Sequence, residues 1–90
     1  MTVAQRIRAF LATTPGRAAA LAALGDDDSL IDRGLLDSLG TLELSAWLQE
    51  EFGITVDEID LTADNFESIS AISWYVERRV TAVEDPGRRP

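Results

Sequence analysis

The sequence predicts an all-α fold: a small four-helix bundle of three principal helices and one short helix, with a long loop between the first two principal helices. Three observations carry this. Apolar residues recur at helical spacing in three separate stretches, no stretch shows the alternation of a half-buried strand, and the breaks fall at Pro, Gly and Asp clusters. Ninety residues suit one compact domain, placed here at 1–83, followed by a disordered tail at 84–90 that contains two prolines and a glycine.

The first helix starts at a capping box, with Thr2 as N-cap and Gln5 three positions on. Val3, Ile7, Phe10 and Leu11 form its apolar stripe, and it ends near Thr13-Thr14-Pro15-Gly16. Ala18 to Leu24 is helix-prone but short, and reads either as a second short helix or as an extension of the first. Asp26-Asp27-Asp28 opens the long loop. Its Leu30, Ile31, Leu35 and Leu36 are too apolar for a free linker and are expected to pin it across the helices. The next helix runs from Ser38 to Phe52, with Leu44, Leu48 and Phe52 on its inner stripe and Gly53 as its stop. A connector follows, in which Ile54, Val56, Ile59 and Leu61 are expected to plug gaps in the core. Thr62 to Phe66 reads as one helical turn. Ser68 then caps a last helix whose Ile69, Ile72, Val76 and Val80 face inward, with Arg78 and Arg79 near its end to complement the helix dipole. Trp47 and Trp74 fall off the main stripes and are expected at the periphery.

Composition excludes several classes of function. Sixteen acidic residues face eight basic ones, a net charge of −8, which repels phosphate backbones and anionic lipid and favours a basic partner surface. Cysteine and histidine are absent, and all eight basic residues are arginine, so the chain has no thiolate, imidazole or side-chain amine. A hydrolase triad, Schiff-base chemistry and a His/Cys metal centre are therefore excluded. The triple aspartate lacks the spaced ligands and distal Glu of a calcium loop and reads as a solvated turn. No run approaches 18 apolar residues, and the first ten residues lack the apolar core of a signal peptide. A cytoplasmic monomer that neither binds nucleic acid nor inserts in membranes is the expectation.

The segment Gly34-Leu35-Leu36-Asp37-Ser38-Leu39 is the one that suggests chemistry. Ser38 stands where a long loop turns into a helix, beside unpaired backbone N–H groups and the positive end of the helix dipole, a favourable place for a phosphate ester. Asp37 can cap the helix and is placed to bind a divalent metal during transfer of a phosphoryl-linked group. An Asp-Ser pair opens many helices without further function, so the dipeptide decides nothing by itself.

The wider pattern decides more. Ile31-Asp32-Arg33-Gly34-Leu35-Leu36-Asp37-Ser38-Leu39-Gly40-Thr41-Leu42-Glu43-Leu44, followed by Leu48-Gln49-Glu50-Glu51-Phe52-Gly53-Ile54, resembles the acyl carrier protein family from about Leu30 to Val80. The resemblance implies a four-helix bundle that is not an enzyme, and a covalent 4'-phosphopantetheine arm, taken from coenzyme A, on Ser38. It implies that Asp37 assists the metal-dependent modification and that Leu39 packs beside the arm. It also implies that Glu43 and Glu50, with Leu42 and Ala46 on the same helix, meet partner enzymes. Those partners would be a phosphopantetheinyl transferase, an acyl- or aminoacyl-loading ligase and downstream transferases with basic docking surfaces. Gly40 and Gln49 depart from the acidic residues common in fatty-acid-type carriers. The Leu35–Leu44 run and Asp64-Asn65-Phe66-Glu67-Ser68-Ile69 are more similar to freestanding aminoacyl or D-alanyl carriers. The rival reading is an acidic helical interaction module without a cofactor, in which Ser38 only caps its helix.

Overall fold

The computed structural model describes residues 2–83, with side chains through Val80. The tail expected to be disordered, 84–90, lies outside the described residues. Three principal helices, α1 (Val3–Leu11), α3 (Ser38–Phe52) and α5 (Ile69–Val83), alternate with two short ones, α2 (Ala18–Ala22) and α4 (Ala63–Phe66), and a 3-10 turn at Glu58–Asp60 precedes α4. The described residues contain no strand. The fold is the expected all-α bundle, and the open question at Ala18–Leu24 resolves into a separate short helix.

α1 begins at the capping box read from sequence: Gln5 N donates to Thr2 Oγ1 at 3.1 Å and Thr2 N to Gln5 Oε1 at 2.8 Å. Its Ile7 and Leu11 are buried against α5, together with Leu44 and Leu48 of α3 and Ile69, Ile72 and Val76 of α5. Full burial of each such side chain contributes about 1.5–3 kcal/mol, so these seven fix the arrangement of the principal helices. Trp47 stacks on Phe10 at 4.5 Å between ring centroids and meets Phe52 edge-on at 5.7 Å, closing the α1–α3 seam from the side. Arg6 lies 4.6 Å over the Phe52 ring and pairs with Glu51, adding a polar clasp to the same seam.

Arg8 reaches from α1 to accept three roles at once. Its guanidinium donates to the carbonyl oxygens of Leu21 and Leu24, the latter at 2.9 Å, and pairs with Asp26 at 2.6 Å. It thereby ties the last turn of α2 and the residues that follow it to α1. The triple aspartate is not simply a solvated turn. Asp26 is held by Arg8, and Asp28 Oδ2 accepts from Gly25 N at 2.8 Å.

The long loop is ordered by burial. Leu24, Leu30, Leu35 and Leu36 join the core. Residues 29–34 wind into a turn, with Asp32 N donating to Ser29 Oγ at 3.0 Å and Gly34 N to Ile31 O at 3.0 Å. Gly34 ends it at φ 72°, a left-handed conformation that reverses the chain and sends Leu35 and Leu36 inward just before Asp37. Two backbone bonds tie this loop to the start of α5: Leu30 N to Glu67 O at 2.7 Å and Ser70 N to Asp26 O at 2.9 Å.

Three sequence expectations fail here. Ile31 does not pin the loop and is 44% exposed, and Ile59 does not plug the core and is 84% exposed. Each sits in a tight turn, Ile31 in 29–34 and Ile59 in Glu58–Asp60. Arg78 and Arg79 do not serve the dipole of α5. Arg78 lies 4.4 Å over the exposed ring of Trp74, and Arg79 donates to Thr55 O at 2.6 Å and lies 3.5 Å from Asp57.

Candidate functional site

α3 starts where the sequence placed it because the two residues before Ser38 have opposite needs. Leu36 is buried at 3% exposure, whereas Asp37 adopts an extended conformation and turns its carboxylate back over the first turn. Asp37 Oδ1 accepts from Gly40 N at 2.7 Å, and its main-chain oxygen accepts from both Thr41 N and Thr41 Oγ1 at 2.8 Å. The cap is therefore held from two sides. Ser38 is the first helical residue and is exposed, and the amides of Ser38 and Leu39 are first-turn donors with no intrahelical acceptor. An anion borne on the Ser38 hydroxyl would meet the positive end of a fifteen-residue helix.

Gly40 is buried directly behind the cap. A Cβ at this position would stand 3.1 Å from Asp37 Oδ1 and 3.3 Å from Leu36 Cδ1, so a larger residue here would have to push the carboxylate or the leucine aside by a few tenths of an ångström.

Ser38 opens onto a groove of about 700 Å³ between the start of α3 and the segment that contains α4. Leu36, Asp37, Thr41 and Leu42 line it from one side, and Leu61, Thr62, Ala63 and Phe66 from the other, with Ile31 at the rim. The exposure of Ile31 and Leu42, at 44% and 54%, thus has a common location. The lining is apolar apart from the Asp37 carboxylate and the hydroxyls of Ser38, Thr41 and Thr62.

The residues singled out from sequence divide into two sets. Asp37, Ser38 and Leu42 meet at the groove. Leu39, Glu43, Ala46 and Glu50 do not line it. All four are exposed and recur at spacings of four, three and four residues, which puts them on one adjacent face of α3. Leu39, 65% exposed, belongs to that outward face. Sequence reasoning missed Thr41, Leu61, Thr62 and Phe66 as groove residues. Their elements were legible, but the approach of residues 61–66 to residue 38 is a long-range fact that no local spacing encodes.

The described residues hold no cluster of three or more acidic side chains that would bind a metal ion. Among the described residues, Asp37 is the charged oxygen donor that lines the groove with Ser38. No described helix is long and apolar enough to cross a membrane.

An exposed hydroxyl at a helix start, beside a capping aspartate and an open groove, is within reach of another enzyme. Comparison with known proteins gives the family. The family described as phosphopantetheine attachment site matches residues 5–76, and the chain belongs to that family of carriers, which are not themselves enzymes. The chain is 35% identical over 57 residues to the D-alanyl carrier protein of Abiotrophia defectiva, a match covering 63% of this chain and 72% of that one. It is 39% identical over 51 residues to the D-alanyl carrier protein of Streptococcus pyogenes serotype M5 (strain Manfredo), covering 57% and 65% respectively, just under two thirds of that relative. Family membership implies a covalently attached 4'-phosphopantetheine, and the residues present fit it: a free-standing hydroxyl, a helix start suited to its phosphate, and room alongside. It also sets aside the rival reading of a module without a cofactor.

Proposed function

We propose that Ser38 bears the 4'-phosphopantetheine arm and that the chain presents acyl or aminoacyl groups, held as thioesters on that arm, to successive partner enzymes. The observation that carries this reading is the exposed Ser38 hydroxyl on the first residue of α3, flanked by the Asp37 cap and facing the groove. When bound, the cofactor supplies the terminal thiol that a chain without cysteine lacks. The protein's own part is to hold Ser38 at a fixed helix start, to offer backbone amides to the phosphate, and to keep the Asp37 carboxylate at the adjoining position for a metal brought by the transferase. With no lysine, histidine or cysteine, no side-chain amine, imidazole or thiol competes for the carried acyl group.

The cargo we favour is an aminoacyl group of the D-alanyl kind. Two relatives named as D-alanyl carrier proteins support it, as does the replacement of acidic residues by Gly40 and Gln49 on α3. A phosphopantetheinyl transferase and a loading ligase are the first partners, acting on a cytoplasmic monomer. Docking is read onto α3, where Glu43 and Glu50 on the outward face attract basic side chains while Ala46 beside them and Leu42 at the groove give apolar contact. Such docking speeds association more than it tightens it.

Incubation with coenzyme A, magnesium and a broad-specificity phosphopantetheinyl transferase, followed by intact mass measurement, tests the core of this reading. One phosphopantetheine is expected on the wild-type chain and none on Ser38→Ala. A wild-type chain left unmodified while a control carrier is modified refutes it. Loading assays with D-alanine, other amino acids and fatty acids then separate the cargo classes.

A further inference from the structure

One side chain of α5 governs the far wall of the groove. Tyr75 is buried, at 5% exposure, and touches two parts of the 53–68 connector. Its ring lies 5.9 Å from that of Phe66, which lines the groove. Its phenol donates to Asp60 Oδ2 at 2.8 Å. The main-chain oxygen of Asp60 in turn accepts from Asn65 Nδ2 at 2.9 Å and from Thr62 N at 2.8 Å. The span 60–66 is closed on itself by Asn65 and anchored at both ends by Tyr75.

This span needs an external anchor. α4 has four residues and Thr62 gives it no side-chain cap, too little helix to hold its own place. Yet Leu61, Thr62, Ala63 and Phe66 form the groove side that faces Leu36 and Leu42. Burial, with the Asp60 carboxylate second, raises the Tyr75 pKa to about 12, so the phenol remains a donor throughout the neutral range.

We propose that Tyr75 and Asp60 are positioning residues of the carrier site, whose hydrogen bond fixes the wall of the groove and so sets how far a thioester borne on Ser38 is sheltered from water. The sheltering role rests on Ser38 being the point of attachment; the positioning of the wall does not.

The test loads wild type, Tyr75→Phe, Asp60→Asn and Asp60→Ala with an acetylated arm, using acetyl-coenzyme A and a phosphopantetheinyl transferase. Loss of the acetyl group is followed by intact mass at mildly alkaline pH, where water adds to the thioester carbonyl and releases acetate and the free thiol. Wild type is expected to hydrolyse more slowly than acetyl-pantetheine in solution. Loss of one hydrogen bond opens the wall about fivefold more often, and Tyr75→Phe should hydrolyse faster by up to that factor while keeping its helical signal. Asp60→Asn, whose amide oxygen still accepts from the phenol, should keep the wild-type rate. Equal hydrolysis in wild type and Tyr75→Phe overturns the sheltering role, and Asp60→Ala, which leaves the phenol no side-chain acceptor, overturns the hydrogen bond as its cause if it keeps the wild-type rate. A wild-type chain that gains no mass refutes the attachment at Ser38 and the sheltering with it. Amide exchange across 61–66 in the unmodified protein reads the wall directly: about fivefold faster exchange in Tyr75→Phe, with α1 unchanged, supports the positioning role, and unchanged exchange overturns it.

Discussion

Residues 23–37 and 53–68 are connectors of similar length that meet at the Ser38 groove, yet they are ordered by different forces. The first places four leucines, Leu24, Leu30, Leu35 and Leu36, in the core at no more than 8% exposure. The second buries Ile54 and Phe66, leaves Ile59 on the surface, and is otherwise tied down by side-chain bonds. Gln49 Oε1 accepts from Val56 N at 2.9 Å, Arg79 donates to Thr55 O, and Tyr75 donates to Asp60. A buried leucine contributes about 1.5–3 kcal/mol and a hydrogen bond about 1 kcal/mol net. The connector that delivers Ser38 is therefore stiff, while the one that forms the opposite wall is softer. A carrier site with one fixed and one yielding wall can keep its attachment point in register while its groove adapts.

The largest effect is expected from Leu30→Ala, which attacks the stiff connector where it is fully buried. It should lower stability by about 2–5 kcal/mol in urea unfolding, enough to loosen the Ser38 turn. Asp37→Ala strikes at the junction of that connector and α3. It should cost about 1 kcal/mol in the same measurement and also slow modification of Ser38 beyond what the lost stability explains.

Tyr75→Phe tests the softer connector and should cost about 0.5–1.5 kcal/mol at neutral pH. The tyrosine has a second signature. Its folded pKa lies above the ordinary 10, at about 12, so the folded chain holds the phenolic proton more tightly than the unfolded one. The stabilisation is complete below pH 10 and is lost as pH rises to about 12, so wild-type stability should fall through that window more steeply than that of Tyr75→Phe. Thermal melts of both proteins across this range check it. Ile59→Ser, on the exposed turn of the same connector, should change stability by less than about 0.5 kcal/mol, and a larger loss would mean that this connector is also held by burial.

Much of the helical framework is visible in the residue pattern. The span Ser38–Phe52 follows from Asp37 before it, Leu44 and Leu48 within it and Gly53 after it, where the chain turns left-handed at φ 66°. The capping boxes and stops are short-range devices, so the sequence displays them whole. Ala18–Ala22 stayed ambiguous because a run of alanines has almost no polar contrast to give a helix a face. Ile31 and Ile59 were misjudged because a lone apolar residue in a turn carries no periodicity to say which way it points. Arg8, Arg79 and Tyr75 were missed as tethers since their partners lie 13 to 24 residues away. The same holds for the site: its Asp37–Ser38 start was legible, its second wall was not.

Gly40 joins the electrostatics of α3 to the shape of its first turn. A Cβ here would press on the Asp37 carboxylate and on Leu36 by a few tenths of an ångström. An acidic side chain, of the kind that resembling carriers place just after their Ser-Leu pair, would repel the aspartate that starts the helix. With glycine here the chain keeps a tight helix start and places no second negative charge beside Asp37 in the first turn of α3. Its exposed acids on α3 begin only at Glu43, more than one turn farther along, so the negative charge of this helix is offset from Ser38 toward its middle and end.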